Sequence, residues 1–316
     1  MGSDEVLGLA FLGVLGWLVL LGARSIGSLA TAAWARWGRW ELLDHAERTI
    51  DLSPLGLRLR PFVVRQEFQG RCAPSADGNL GTGGALWGGS LELSSFLLHE
   101  AQAAGVHLDG AKVVELGAGL GLTSMVIATA AQAVGGSHEA ARPRSVVVTD
   151  GHAPVVELCR QNVQANLSDH EVSACGLEVQ RLGWGASVSA LGPEPFDVIL
   201  GSDVVYHPAP LPLLLDSILS LCGPSTCVVI AYTPRGNVVA RQHCDAFFSD
   251  LSGFFAKVDT YRSEDLRLSR IRAELLAKKD NSAVTALSGG GDLSEVGPGC
   301  VKVFKGFRKT KVDETV

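Results

Sequence analysis

The sequence predicts an α/β domain built on a doubly wound, largely parallel sheet. Three observations lead there. From Lys112 onward, short apolar runs alternate with amphipathic stretches. A turn rich in glycine, Gly117 to Gly121, leaves the first of these runs. Carboxylates stand where other runs end, at Asp150 and Asp203, and ligands of such sheets bind at the carboxyl ends of the strands.

Taken in order, the pattern predicts strands at Lys112–Leu116, Ser145–Thr149, Leu177–Leu182, Phe196–Gly201 and Thr226–Tyr232. Ala256–Thr260 and Val301–Phe307 complete a seven-stranded sheet. Helices are expected over Ser90–Ala104, Leu120–Ala133, Ala153–Asn166, Leu211–Leu221 and Val238–Asp250. Ahead of the sheet, the alternation of Leu57 and Leu59 followed by Phe62 to Val64 suggests a small β-hairpin layer. Ala133–Arg144 and the polar, Ser/Gly-rich stretch 279–299 look inserted, the second as a disordered segment.

The chain divides into an N-terminal hydrophobic segment (1–40), an extension (41–80) and the main domain (81–310). Val6 to Ala23 is an uncharged apolar run, which as a helix rising about 1.5 Å per residue just spans a hydrocarbon core of roughly 30 Å. Arg24, Arg36 and Arg39 follow it, interleaved with Trp34, Trp37 and Trp40. That pattern suits a membrane anchor with the rest of the chain on the cytoplasmic side. Two other readings stay open. A cleaved signal peptide would use the Ala30-Thr31-Ala32 stretch but has no basic start, and the run could instead be a helix docked on a cytoplasmic domain.

A formal charge of −6 and a pI near 5.8 argue against a nucleic-acid binder, which needs excess Lys and Arg to neutralise phosphates. The cluster Lys302, Lys305, Arg308, Lys309 and Lys311 is local and reads as a solvated edge strand and tail. Seven cysteines lie scattered without paired spacing, so neither a disulfide framework nor a metal site is expected.

The segment Val113 to Ser124, VVELGAGLGLTS, carries most of the chemistry. Gly117, Gly119 and Gly121 permit a tight turn and a close backbone approach to a ligand, and the helix that follows offers open N–H groups. A dinucleotide fingerprint would place glycine where Leu122 stands, with a ribose-binding acid about 20 residues on. Asp150 lies further away than that. Glu115 before the turn and Asp150 at the next strand end point to a nucleoside-type cofactor. Asp150 could accept hydrogen bonds from two ribose hydroxyls, or cap the helix after it.

With these residues in view, the chain resembles the seven-strand, Rossmann-like class I methyltransferases, and within them the family-16 lysine methyltransferases. Four segments carry the resemblance: Gly81–Leu97 with its Gly–Trp pattern, VVELGAGLGLTS, Leu182-Gly183-Trp184-Gly185, and Ser202–Pro208 with Asp203-x-x-Tyr206. The chain departs from the family at Gly183, usually Asp, and at Gly88, commonly Pro or Asp. Pro234-Arg235-Gly236-Asn237 is similar to the calmodulin-lysine methyltransferases. Thr149–Gly151 is shared with that branch and with the elongation-factor branches.

The resemblance implies an S-adenosylmethionine-dependent enzyme that methylates a lysine of a partner protein, as a monomer and without a metal. It places Trp87, Glu115, Gly117, Gly119, Gly121, Asp150, Trp184 and Ser202 around the cofactor, and Asp203 and Tyr206 at the reacting amine. Either tryptophan could instead be ordinary core, and Asp203 could cap the turn into Pro208. A small-molecule methyltransferase on the same fold is one alternative. A membrane-tethered protein that binds the cofactor without turnover is another.

Overall fold

A computed structural model describes residues 46–52, 59–67, 80–131, 142–234, 238–262 and 299–309. The expected seven-stranded sheet is present. Its strands are β3 (Lys112–Leu116), β4 (Ser145–Asp150), β5 (Leu177–Arg181), β6 (Phe196–Ser202), β7 (Cys222–Tyr232), β8 (Phe255–Arg262) and β9 (Cys300–Phe307). They lie side by side in the order β5-β4-β3-β6-β7-β9-β8. The chain winds outward from β3 in one direction, returns to β6 and winds outward in the other to the edge strand β8, with β9 inserted between β7 and β8. The order therefore reverses between β3 and β6, which opens a crevice beyond their carboxyl ends.

One strand departs from the parallel expectation. β9 runs antiparallel to both neighbours, β7 and β8, so the sheet is mixed. Apolar patterning marks a strand but not its direction, and β9 starts at the end of the sheet where β8 stops, Cys300 being paired with Arg262. The central strands read as unbroken apolar runs because both faces are covered: Val113, Val114, Val146, Val148, Ile199 and Leu200 are all buried.

The helices are α1 (Gly88–His99), α2 (Leu122–Ala130), α3 (Ala153–Asn166), α4 (Asp169–Ala174), α5 (Leu211–Leu221) and α6 (Val238–Ser252). α1 begins two residues earlier than expected and stops at His99, after which turns run to Gly105, whose φ is +71°. α2 packs against α1, and its residues Leu122 to Thr129 are all buried. This is why its sequence lacks a polar face. The short helix α4 was not foreseen. Its start carries a reciprocal capping pair: Ser168 accepts from the Glu171 N–H, and Glu171 from the Ser168 N–H.

The N-terminal β layer exists with a different first strand. β1 (Glu47–Ile50) pairs antiparallel with β2 (Phe62–Arg65), whereas Leu59 precedes β2 and Leu57 lies outside the described residues. Two asparagines of α3 hold this ribbon on the domain. Asn166 accepts from the Val63 N–H at 2.7 Å and donates to its carbonyl at 2.8 Å. Asn162 does the same for Arg65, at 2.8 and 3.1 Å. Residues i and i+4 of a helix are about 6 Å apart along its axis, close to the rise of about 6.6 Å over two strand residues. Two amides one helical turn apart thus stand in for a neighbouring strand along β2. A bidentate ion pair adds to this, with Arg60 donating to both Glu171 oxygens at 2.8 Å. Partial burial alone would raise the Glu171 pKa, but Arg60 and the Ser168 N–H overcome it and hold the carboxyl at about 2.

Among the described residues, no helix is long and apolar enough to cross a membrane. The expected anchor at Val6–Ala23, the segment 279–298 and Arg235 to Asn237 all lie outside the described residues.

Candidate active site

The crevice between β3 and β6 has a floor of main chain. Beyond β3, Gly117, Gly119 and Gly121 all take positive φ, at +64°, +54° and +81°. The need for glycine is steric as well as conformational. A Cβ on Gly121 would sit 2.7 Å from the Cys159 sulfur, and one on Gly119 would sit 3.2 Å from the Gly83 carbonyl oxygen. Cys159 is buried beneath the turn, and burial raises its thiol pKa well above the usual range, so it acts there as a small apolar plug.

The two predicted carboxylates occupy different depths. Asp150 ends β4, half-buried beside the glycine turn, and accepts from the Gly119 N–H at 3.2 Å and the His152 N–H at 3.1 Å. Burial raises its pKa, and the backbone donors only partly offset this. Glu115 lies beneath the turn and is 1 % exposed. One of its oxygens accepts from the Ser124 hydroxyl at 2.5 Å and from the Ser124 N–H at 3.2 Å. The other has no hydrogen-bond partner among the described residues. Burial pushes the Glu115 pKa up to about 7 against the pull of Ser124. The side chain therefore braces the first turn of α2 from below.

Trp184 lies over the start of the loop, since a Cβ on Gly117 would approach its ring to 3.0 Å and Val204 to 2.8 Å. At the adjoining strand end, a Cβ on Gly183 would meet nothing within 4 Å. The position where the family carries Asp is open space here. The same holds at Gly88.

Opposite the loop stands the mouth of β6. Ser202 is the last residue of β6, in register with Ala231 of β7. Asp203 follows with φ +52°, the one non-glycine residue with positive φ among those described, a conformation that Asp tolerates better than most. It is 9 % exposed. Its carboxylate accepts from the Gly89 N–H at 2.8 Å and from the Thr233 N–H at 3.3 Å. A Cβ on Gly89 would lie 2.6 Å from the carboxylate carbon, which explains a glycine in the first turn of a helix. Asp203 thus ties the start of α1 and the end of β7 to the mouth.

Tyr206 is 39 % exposed, and its phenol shares a 3.0 Å hydrogen bond with the Thr82 hydroxyl. Thr82 belongs to a 3₁₀ turn, Gly81–Gly84, whose Gly83 carbonyl faces Gly119. The Thr82 carbonyl oxygen accepts from Trp87 Nε1 at 2.7 Å. The predicted residues therefore form one constellation: loop, Asp150 and Trp184 on one side, Ser202, Asp203, Tyr206 and Trp87 on the other, with Glu115 underneath. Sequence reasoning missed Thr82, Gly89 and Ser124. Gly89 could have been queried as a glycine inside a helix, and Ser124 as a first-turn hydroxyl facing Glu115; no local signal marked Thr82.

Residues 74–254 match the family model described as lysine methyltransferase. A protein N-lysine methyltransferase METTL21A of Xenopus tropicalis is 28 % identical over 204 residues, covering 64 % of this chain and 81 % of that protein. Its namesake from Mus musculus is 31 % identical over 48 % of this chain and 61 % of the relative. EEF1A lysine methyltransferase 3 of Xenopus tropicalis is 30 % identical over 59 % and 72 %. The matched span contains the glycine loop, Asp150, Trp184 and the Asp203–Tyr206 mouth, and it begins before the turn that carries Thr82. The chain belongs to the lysine methyltransferase family and is, by that membership, an S-adenosylmethionine-dependent protein-lysine methyltransferase.

Proposed function

We infer that S-adenosylmethionine lies across the crevice, with its ribose at Asp150, its adenine beside Trp184 and its methionyl end over Gly117–Gly121 toward Trp87. The observation that supports this most is the juxtaposition of the positive-φ glycine turn with a half-buried carboxylate whose pKa is raised. Two ribose hydroxyls would supply donors to that carboxylate. The buried His152 Nδ1, next to Asp150, has no partner among the described residues, as expected where a polar ligand completes the site. When bound, the cofactor supplies an electrophilic methyl group on a sulfonium.

The residues at the mouth do the rest. A lysine ammonium, with a pKa near 10.4 in water, must shed a proton before its lone pair can attack. Partial desolvation against Trp87 and Tyr206 lowers that pKa. Asp203, its carboxylate fixed by Gly89 and Thr233, accepts an N–H of the amine and orients it. Tyr206 walls the channel. Holding the amine in line contributes mostly through proximity and orientation, and no covalent enzyme intermediate is needed. The acceptor is a lysine of a partner protein, and the enzyme works as a monomer. The apolar run Val6–Ala23 anchors it to a membrane with the described domain on the cytoplasmic face.

Tritiated S-adenosylmethionine, added with the purified chain to cell extract, should label one or a few protein bands on lysine. Label confined to extracted metabolites would replace the protein acceptor with a small molecule. Calorimetry showing no heat with S-adenosylmethionine or its demethylated product would remove the cofactor site. Removal of residues 1–40 should move the protein from the membrane to the soluble fraction, and an unchanged distribution would discard the anchor.

A further inference from the structure

Thr82 makes two hydrogen bonds in opposite directions. Its main-chain oxygen accepts from the Trp87 indole at 2.7 Å, and its side-chain hydroxyl reaches Tyr206 at 3.0 Å. The turn that carries it is fixed independently. The Glu67 N–H donates to the Gly84 carbonyl at 2.8 Å, Gly83 packs against Val155, and its carbonyl lies over Gly119. Thr82 is therefore held by the scaffold, while Tyr206 sits on a partly exposed segment beyond β6. Of the two partners the threonine is the anchored one.

Resting on the assignment of Tyr206 to the amine channel, we propose that Thr82 is a positioning residue that sets both the place and the hydrogen-bonding sense of the Tyr206 phenol. A phenol that donates its proton to Thr82 Oγ1 presents lone pairs to the channel and can accept an amine N–H. A phenol without that partner is free to donate its proton to the amine nitrogen. This would occupy the lone pair that must attack. Either hydroxyl can donate across the 3.0 Å contact; with the phenol as donor, Thr82 makes it an acceptor at the one point where a donor would oppose the reaction.

The side chain can be altered without touching the carbonyl that holds Trp87. Thr82→Val keeps the shape and removes the hydroxyl; Thr82→Ser keeps the hydroxyl. With tritiated S-adenosylmethionine and cell extract as acceptor, Thr82→Val should lower the saturating rate about tenfold. The half-saturating extract concentration and the cofactor affinity should stay within about twofold of the parent. Thr82→Ser should restore the rate, and Thr82→Val should have no further effect in a Tyr206→Phe background. Full activity of Thr82→Val, an equal loss in the Tyr206→Phe background, or a loss matched by weaker cofactor binding and a lower melting temperature would each overturn the proposal. Failure of the parent to label protein would instead sink the assignment of the activity. The coupling is then read from urea unfolding: Thr82→Val and Tyr206→Phe together should cost less stability than the sum of the two alone, and strict additivity overturns it.

Discussion

On the loop side of the crevice the working groups are largely main chain, set by three glycines within five residues and braced from below by Glu115 and Cys159. On the mouth side they are side chains that meet across the fold: Asp203 reaches Gly89 over 114 residues of sequence and Tyr206 reaches Thr82 over 124. The loop side rests on buried groups and is sterically over-determined, whereas the mouth depends on a few hydrogen bonds at a partly open edge. A group that must hold a common cofactor can be built locally and rigidly. A group that must admit a partner's lysine has to lie where the protein surface opens, assembled from whatever segments reach it.

The largest effect should follow from cutting the mouth's main tie. Asp203→Ala leaves two N–H groups, of Gly89 and Thr233, without their carboxylate, each loss costing about 1–3 kcal/mol. It also puts Ala where φ is +52°. Unfolding in urea should register a loss of about 3 kcal/mol, and methyl transfer should fall by about 100-fold. Asp203→Asn, which keeps one acceptor and tolerates the backbone, should lose less than half that stability. Unchanged stability in Asp203→Ala would mean that these bonds hold nothing together, and the contrast between the two sides would fail.

Next comes a substitution where the two sides touch. Gly119→Ala places a methyl 3.2 Å from the Gly83 carbonyl at a φ of +54°, and left-handed backbone costs an L-residue about 1–2 kcal/mol. Cofactor affinity measured by calorimetry should weaken about tenfold. Because Gly83 adjoins Thr82, the half-saturating acceptor concentration should rise as well. If only cofactor affinity moves, the loop and the mouth are energetically separate, which would sharpen the comparison by showing that Gly83 transmits nothing.

How far each side could be read from the sequence follows from the same difference. The glycine turn was legible because its requirement is local: positive φ at Gly117, Gly119 and Gly121 leaves its trace in twelve consecutive residues. The central strands were legible for the same reason, as apolar runs covered on both faces. The direction of β9 was not, because antiparallel and parallel strands carry similar apolar runs when buried. Asp203 and Tyr206 emerged from a family pattern, but their partners did not. Nothing near Thr82 or Gly89 in sequence signals a contact more than a hundred residues away. The exchange of Leu57–Leu59 for Glu47–Ile50 as the first strand has a comparable cause. The ribbon is held by Asn162 and Asn166 of α3, and no window of the extension contains them. α4, like Gly89 and Ser124, was missed despite a local signal, here the Ser168-x-x-Glu171 cap.

The smallest effect on methyl transfer, and the most specific one, concerns the brace beneath the loop. In the unfolded chain Glu115 loses its proton near 4.5, whereas in the folded protein burial holds the proton to about 7. Between those values the folded state binds more protons than the unfolded one. The contribution of Glu115 to stability is thus complete below about 4.5 and is lost as pH rises through about 7. Each tenfold difference in proton affinity is worth about 1.4 kcal/mol, so the swing is on the order of 3 kcal/mol. Glu115→Gln has nearly the same shape, can still accept from Ser124 through its amide oxygen, and does not titrate. Relative to the parent it should gain stability steadily from pH 4.5 to 7 and hold that gain above. Urea midpoints of the two proteins, compared at pH 5, 6, 7 and 8, measure this directly. Parallel pH profiles would mean that the carboxyl ionises normally beneath the turn, so that the loop side is more open to solvent than its packing implies.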